Sequence, residues 1–302
     1  MNLSLRQLRV FVAVSQQQSI THAAKHLFLT KAAVSMALSE LENQLGQQLF
    51  DRTNNRLHLN PYGQRLLPIA DELLHRAASI DTLFQQSGAL IGDLAIGASE
   101  TIGNQICPWL LAQFRQQTAH TQQTLHIRNS AHIAEMILNY QLDIGLIEGD
   151  VNHNDIEATP WLKDEMCIIA AANHPLLTTL SLQLSDLADH AWVLREAGSG
   201  SRAFFDIHVA PAIGQWQLAY QLNSIEAQLN FVAAGLGLAC VSKFSATHAL
   251  ANGRVRILPL DSKLERQYKI IMHKQKYKSA LITAFIEFSQ QWDAATLIPH
   301  KV

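Results

Sequence analysis

The spacing of apolar residues in the first fifty positions limits the fold more than any other feature of this chain. Leu5, Leu8, Phe11 and Val12 recur at the interval of an α-helix, which predicts a first amphipathic helix. The polar run 15–19 predicts its end.

Two further helices follow closely. Thr21 is predicted to cap a short second helix over His22–Leu27. Thr30 is predicted to cap a third helix from Lys31 to about Gln44, and Gly46 suits its C-terminal stop.

The second and third helices have the pattern of a helix-turn-helix unit. Ala24 is small where the two helices would cross, so their backbones can approach closely. The third helix then presents an outward face that is narrow enough for a DNA major groove. This candidate DNA-binding face consists of Thr30, Lys31, Ala32, Ser35, Met36 and Ser39. The alternative is an ordinary helical hairpin with Lys31 as a solvated charge.

A predicted hairpin follows the third helix. Residues 49–52 and 57–59 are predicted strands, and residues 53–56 are predicted to form the turn between them. A helix-turn-helix followed by a hairpin is a winged helix, in which Arg52 and Arg56 are placed to contact phosphate or the minor groove. Asn60 and Pro61 are predicted to start the next helix.

Charge separates this first part from the rest of the chain. Six basic and three acidic side chains give residues 1–60 a formal charge of +3. Because the whole chain carries -2, residues 61–302 carry -5. A basic first domain on an acidic body suggests that only the first domain meets a polyanion.

The motifs in residues 3–65 resemble the DNA-binding domain of LysR-type transcriptional regulators. They are Ala23-Ala24-x-x-Leu27, Thr30-x-x-Ala33-Val34-Ser35, Leu38-x-x-Leu41-Glu42-x-x-Leu45-Gly46-x-x-Leu49-Phe50-x-Arg52, and Leu57-x-Leu59-x-x-x-Gly63. The chain departs from the family pattern at Lys31, where Gln is frequent, and at Met36, where a basic residue is common. The base preference of the family is therefore not carried over.

Residues 61–89 are predicted to form one long linker helix. Its apolar residues recur every three or four positions, so the helix needs a partner for this stripe. The family resemblance implies pairing with a second copy of the chain, as a dimer or a tetramer, so that two DNA-binding domains reach half-sites roughly 34 Å, or a multiple of it, apart along the DNA. Packing on the chain's own C-terminal domain is the alternative.

Strands and helices alternate over residues 90–302, which predicts an α/β domain with mainly parallel pairing. The resemblance implies a two-lobed, periplasmic-binding-protein-like effector domain. Its first lobe is expected at about 90–163 and 265–302, and its second lobe at about 164–264.

Five polar segments follow predicted strands or open predicted helices, where small ligands bind in α/β folds. Hydroxyls and backbone N–H groups at several helix starts favour a small anion. The candidate effector-binding residues are Ser99, Glu100, Thr101, Asn129, Ser130, Glu148, Gly149, Arg195, Ser199, Gly200, Ser201, Arg202, Asn223 and Glu226. Helix capping without a ligand is the ordinary alternative for each segment taken alone.

Four motifs of the body resemble the LysR-type branch that regulates sulfur assimilation, including sulfite-responsive regulators. They are Ser99-x-Thr101-Ile102-Gly103-Asn104, Asp143-Ile144-Gly145-x-Ile147-Glu148-Gly149, Arg195-Glu196-x-Gly198-Ser199-Gly200-x-Arg202 and Asn223-Ser224-Ile225-Glu226-Ala227. The resemblance implies sulfite or another small anion as the effector. Glu100 departs from the expected Ser or Thr, and an inward carboxylate there would repel an anion.

Other function classes are disfavoured by the sequence. Hydrophobic residues make up 48% of the chain and charged residues 16%, which excludes a largely disordered chain. Gly235-x-Gly237 lacks the third glycine of a dinucleotide site, and no catalytic or metal motif is complete, so we expect neither an enzyme nor a cofactor. Three widely spaced cysteines and the absence of a signal segment predict a cytoplasmic protein. A binding protein without a transcriptional role is the alternative function.

Overall fold

The computed structural model describes residues 3–53, 56–83 and 90–293. Its first part is a winged helix-turn-helix domain joined to a long helix. The elements are α1 (Leu5–Gln17), α2 (Ile20–His26), α3 (Lys31–Leu45), β1 (Phe50–Thr53), β2 (Arg56–Leu59) and α4 (Pro61–Leu83).

Local side-chain caps set several of these boundaries as predicted. Thr30 Oγ1 accepts a hydrogen bond from the backbone N–H of Ala33 at 3.2 Å, and Gly46 ends α3 with φ +67°. Asn60 Oδ1 accepts from the N–H groups of Tyr62 and Gly63 at 3.0 Å each, which starts α4. The predicted end of this helix, near Gly88, lies outside the described residues.

The predicted start of the second helix was wrong. Ser19 caps α2, since its Oγ accepts from the N–H of His22 at 3.3 Å. The helix therefore begins at Ile20, and Thr21 lies inside its first turn.

The first three helices pack around a common core that includes the fully buried Phe11, Val34 and Leu41. Ala23 and Ala24 are buried on α2. Their small side chains let α2 lie close to its neighbours, and this fixes the direction in which α3 faces solvent.

The second part is an α/β body. Its strands are β3 (Leu94–Ala98), β4 (Gln123–Ile127), β5 (Ile144–Glu148), β6 (Ile156–Ala171), β7 (Ala191–Arg195), β8 (Gln217–Leu222), β9 (Ala239–Ser242), β10 (Val255–Ile257) and β11 (Leu264–His273). Its α-helices are α5 (Cys107–Thr118), α6 (Ser130–Leu138), α7 (Gly200–Phe204), α8 (Ala210–Ile213), α9 (Ile225–Ala233), α10 (Lys243–Ala251) and α11 (Ala280–Gln291). Single π-helical turns precede α5 and follow α7.

Strand pairing in the body differs from the predicted, mainly parallel arrangement. β3 pairs in parallel with β4 and β5, and β7 pairs in parallel with β8. However, β11 runs antiparallel to β5 and β6, and β6 runs antiparallel to β9 and β10. The sequence reading missed the first part of β6, because Pro160 and several charged residues interrupt its apolar pattern.

The long strands β6 and β11 connect two lobes. One lobe has a core around Ile96, Phe114 and Phe285, and the other has a core around Trp192, Phe205 and Ile168. The shared strands bring the C-terminal ends of β3, β4 and β5 opposite the N-termini of α7 and α9. Within the residue ranges given above, no helix combines the length and the hydropathy needed to cross a bilayer.

Candidate DNA-binding face and effector cavity

The outward face of α3 is exposed on the winged helix-turn-helix domain. Val34, Leu38 and Leu41 are buried on the opposite side of the helix. The sequence-predicted residues Thr30, Lys31, Ala32, Met36 and Ser39 are exposed, and Ser35 is half-buried. The structure therefore leaves this face free for contact with a groove.

The two predicted arginines of the wing are also exposed. Arg56 opens β2 opposite Thr53, and Arg52 lies on β1 opposite Leu57. A short two-stranded hairpin with two solvated guanidinium groups suits contact with phosphates, which are charged and lack sequence information.

A cavity of about 520 Å³ opens between the two lobes of the body. Four of the sequence-predicted residues line it: Glu100, Asn129, Arg195 and Asn223. Its other lining residues are Asn104, Ile127, Arg128, His132 and Glu196. The wall is thus rich in amide, guanidinium and carboxylate groups.

Arg195 holds two carboxylates at the wall of this cavity. Its guanidinium pairs with Glu100 and with Glu196, where Nε lies 2.8 Å from Oε2. Glu100 Oε1 also accepts from the N–H of Ile225, at the start of α9, at 3.0 Å. The Glu100 carboxylate is therefore compensated by a cation and a helix N-terminus, so it does not stand as the unpaired repulsive charge considered above.

Burial and hydrogen bonding move the pKa values of these two acids in opposite directions. Burial raises the pKa of Glu100 above its ordinary value, and its contacts with Ile225 and Arg195 offset this only partly. Burial alone would also raise the pKa of Glu196, but hydrogen bonds from Arg195 and Asn129 outweigh it and lower that pKa.

Sequence reasoning missed Arg128 and His132 as cavity residues. Arg128 directly follows β4 and is exposed, and its Nη1 donates a hydrogen bond to the backbone oxygen of Ile127 at 2.8 Å. His132 Nδ1 lies 3.0 Å from Asn129 Oδ1. The position of Arg128, one residue beyond the carboxyl end of a strand, was the signal available in the sequence.

Other predicted effector residues belong to a buried polar cluster beside the cavity. Glu148 accepts from Ser99 Oγ at 3.1 Å, from the N–H of Thr101 at 3.0 Å and from Arg266 Nη1 at 2.7 Å. Ser201 Oγ lies 3.4 Å from Glu148 Oε2, and Ser130 Oγ donates to the backbone oxygen of Glu148 at 3.2 Å. These groups hydrogen-bond to one another and stabilise the junction of the lobes, while Arg266 Nη2 is buried without a hydrogen-bond partner among the described residues.

Arg266 is the cation of this cluster, and sequence reasoning missed it. Its Nε lies 2.7 Å from Asp164 Oδ2, which makes a buried triad with Glu148. Burial disfavours the charged carboxylate of Glu148, but the attraction of Arg266 and several hydrogen bonds lower its pKa.

The remaining predicted residues lie outside the cavity wall. Ser199 Oγ accepts from the N–H of Arg202 at 3.2 Å, and the Arg202 guanidinium pairs with Asp206 at 2.9 Å. The Arg202 guanidinium is thus engaged with Asp206, and its role in supplying charge to a ligand stays a prediction. The other three predicted positions are Gly149 (φ +77°), Gly200, packed against Glu148, and Glu226, exposed and 3.6 Å from Arg254.

A winged helix-turn-helix joined through a long helix to a two-lobed domain with a polar cavity defines a DNA-binding regulator that responds to a small molecule. Residues 5–64 match the bacterial regulatory helix-turn-helix protein, lysR family, and residues 87–294 match the LysR substrate binding domain. The chain belongs to the LysR family and is a DNA-binding transcriptional regulator with an effector-binding domain.

Several relatives match over nearly the whole chain, among them two HTH-type transcriptional regulators. The HTH-type transcriptional regulator YeiE of Escherichia coli (strain K12) is 37% identical over 290 residues, covering 95% of this chain and 97% of YeiE. The HTH-type transcriptional regulator CysL of Bacillus subtilis (strain 168) is 32% identical over 290 residues, covering 91% of this chain and 94% of CysL.

Solved structures show the same fold. Full-length OxyR from Pseudomonas aeruginosa has a TM-score of 0.77 at 22% identity, covering 100% of this chain and 99% of that chain. The effector binding domain of QuiR in complex with shikimate has a TM-score of 0.61 at 25% identity, covering 67% of this chain and 97% of that chain.

Proposed function

We propose that α3 reads the DNA sequence and that the wing contacts the backbone. Lys31 and Ser35 lie at the N-terminal end of the exposed face, the part of a recognition helix that enters the major groove. Arg52 and Arg56 supply phosphate contacts, which contribute affinity without base specificity. The proposal assigns DNA binding to residues 1–60, subunit pairing to 61–89 and effector binding to 90–302.

Gel shifts on a promoter fragment and on point-mutated versions of it test the role of Lys31. If Lys31 reads a base, Lys31→Ala costs about 1–3 kcal/mol on the native site and relaxes the preference at one position. The matched control is Lys25→Ala, which removes an exposed cation of α2. A uniform loss on every sequence, equal to that of the control, would place Lys31 on phosphate and overturn the base-reading role.

We infer that the interlobe cavity binds a small anionic effector. The observation that carries this inference is the position of Arg128 at the cavity wall, where no described carboxylate pairs with it. The amides of Asn104, Asn129 and Asn223 surround the same space and supply N–H donors. The likeness to QuiR in complex with shikimate, itself a carboxylate, supports an anion.

We further propose that the effector is a sulfur oxyanion such as sulfite, with residues of both lobes around it. Support comes from the four motifs of the body that resemble the sulfur-assimilation branch and from the likeness to CysL. The lobe boundaries at about 163 and 264, on the connecting strands, define the two sides of this proposed site.

Thermal unfolding of the full-length chain with sulfite, sulfate, thiosulfate, O-acetylserine and shikimate tests both levels of the proposal. An anion that binds raises the melting temperature by mass action. Arg128→Gln should remove the shift, whereas Arg256→Gln, an exposed arginine on β10, should keep it. A shift with shikimate alone, or with the zwitterion O-acetylserine alone, would discard the sulfur-oxyanion proposal, and no shift with sulfite, sulfate, thiosulfate or shikimate would discard both.

A further inference from the structure

The DNA-binding domain and the effector domain of this chain contact each other directly. Tyr140, which follows α6 in the body, is only 3% exposed and packs into the core of the winged helix-turn-helix domain. The Gln16 side-chain amide donates to the backbone oxygen of Tyr140, and the Gln141 amide donates to the backbone oxygen of Gln16. These contacts join the end of α1 to the loop between α6 and β5.

A buried ion triad lies in the same interface. Lys276 Nζ lies 3.0 Å from Asp71 Oδ1 on α4 and 2.8 Å from Asp143 Oδ1 in the body, and the side chains of all three residues are less than a tenth exposed. Burial alone would lower the pKa of Lys276, but the attraction of Asp143 and Asp71 outweighs it and raises that pKa. A buried cation that loses one of two carboxylates is poorly compensated, so the triad favours the contact between α4 and the body.

The side chain of Tyr140 contacts both domains. Its φ of +55° belongs to the left-handed turn that ends α6, where the N–H of Gln141 donates to the backbone oxygen of Met136 at 2.9 Å. Here the ring is enclosed by the core of the other domain, and the hydroxyl lies 2.9 Å from His273 Nδ1.

We propose that residues 140–143 and Lys276 form a docking site for the chain's own DNA-binding domain, and that Asp71 locks this domain in place. The dock fixes the angle of α3 relative to the effector domain. It uses residues that lie outside the DNA-binding face and outside the interlobe cavity.

The same segment reaches the effector cavity. Helix α6 begins just after the cavity residue Asn129 and ends just before Tyr140, and β5 starts directly after Asp143. A displacement of α6 by an occupied cavity is therefore passed to the DNA-binding domain through one rigid element. This step rests on the proposed effector function, whereas the docking itself does not.

Crosslinking of full-length protein tests the dock. In a Gln16→Cys/Gln141→Cys variant, a short bismaleimide should join the two positions and give a product that migrates as a single chain, since the three native cysteines are buried. A product that migrates as a covalent dimer, or no product, would overturn docking onto the chain's own body. This measurement stands even where a substitution of Asp71 lowers stability.

Asp71→Asn tests the lock, with Glu72→Gln as the matched control because it removes one carboxylate at the neighbouring position of α4, where the half-buried Glu72 pairs with Arg76 of its own helix. We expect Asp71→Asn to lower the crosslinking rate at least about tenfold, as the loss of one partner of a buried ion pair implies, and Glu72→Gln to leave it within about twofold. Equal rates in the two variants would overturn the role of the triad.

Footprinting on the same promoter fragment tests the consequence. Asp71→Asn should change the pattern of protected and hypersensitive positions, while Glu72→Gln keeps the native pattern. Identical footprints would overturn control of the α3 angle by the dock. The anion should still raise the melting temperature of Asp71→Asn, because the residues of the cavity wall are unchanged, so a failure of the dock and a failure of the anion proposal are read separately.

Discussion

Arg266 shows how one side chain joins the lobes. It is 7% exposed, and it compensates Glu148 and Asp164 at 2.7 Å each. Arg266→Met keeps much of the volume but leaves two buried carboxylates without a cation. We expect the free energy of unfolding to fall by about 3–5 kcal/mol. Urea denaturation, followed through the tryptophan fluorescence of the effector domain, measures this loss.

The matched control for Arg266 is Lys263→Met, an exposed cation just before the same strand. Because solvated charges contribute little, this variant should unfold within about 0.5 kcal/mol of the native chain. Equal unfolding of the two variants would mean that the triad does not hold the lobes together.

Glu100 gives the cavity a pH dependence. Burial raises the pKa of this carboxyl, so it becomes neutral at a higher pH than an ordinary glutamic acid. When it is neutral, Arg195 has one carboxylate fewer and the cavity is more positive. We therefore expect sulfate or thiosulfate, whose charges are constant, to bind more tightly as the pH falls through the raised pKa of Glu100.

Calorimetric titrations from about pH 8 to about pH 5 measure this effect. Glu100→Gln should bind these anions more tightly at the upper end and show a flatter pH profile. A profile that is unchanged in Glu100→Gln would overturn the assignment of the pH dependence to Glu100.

At the scale of elements, the start of α4 is where the linker meets the wing. A Cβ at Gly63 would lie 2.2 Å from the backbone oxygen of Leu49 and 2.7 Å from a methyl group of Leu59. Backbone cannot move aside as a side chain does, so Gly63→Ala should shift α4 away from the hairpin. We expect a loss of about 1–3 kcal/mol in the stability of the DNA-binding domain and weaker promoter binding, measured by thermal unfolding and gel shift.

Gln64→Ala is the control for Gly63, since Gln64 is the next residue and is exposed. It should leave promoter affinity close to native. A Gly63→Ala variant as stable and as tightly DNA-binding as this control would show that the wing and the linker tolerate separation.

Elements built from local signals were predictable, and those built from distant contacts were not. Thr30, Gly46 and Asn60 cap their helices through hydrogen bonds or turns within a few residues, so their roles are visible in the sequence. The first part of β6 is defined by pairing with β11, about a hundred positions away, and its own residues are too polar to reveal it. Arg266 was missed for the same reason, since the carboxylates that it compensates lie on other strands.

At the scale of the whole molecule, the apolar stripe of α4 divides into two parts. Leu67 and Ala70 are buried against the DNA-binding domain. Ile69, Leu73 and Ile80 are 57%, 44% and 54% exposed, and their spacing places them along one side of the helix. The chain itself therefore covers only part of the stripe, and the exposed part is the surface that the family resemblance assigns to a second copy.

We expect Leu73→Glu to weaken self-association at least about tenfold, because a carboxylate in an apolar helix pair loses its hydration. Sedimentation of the full-length chain at several concentrations measures this. Leu236→Glu, an exposed leucine on the body, is the matched control and should sediment as the native chain does.

A monomer holds one half-site instead of two, so for Leu73→Glu the slope of log DNA affinity against log salt concentration should fall to about half its native value. Unchanged sedimentation together with an unchanged slope would show that the exposed part of the stripe is not the surface that pairs the subunits.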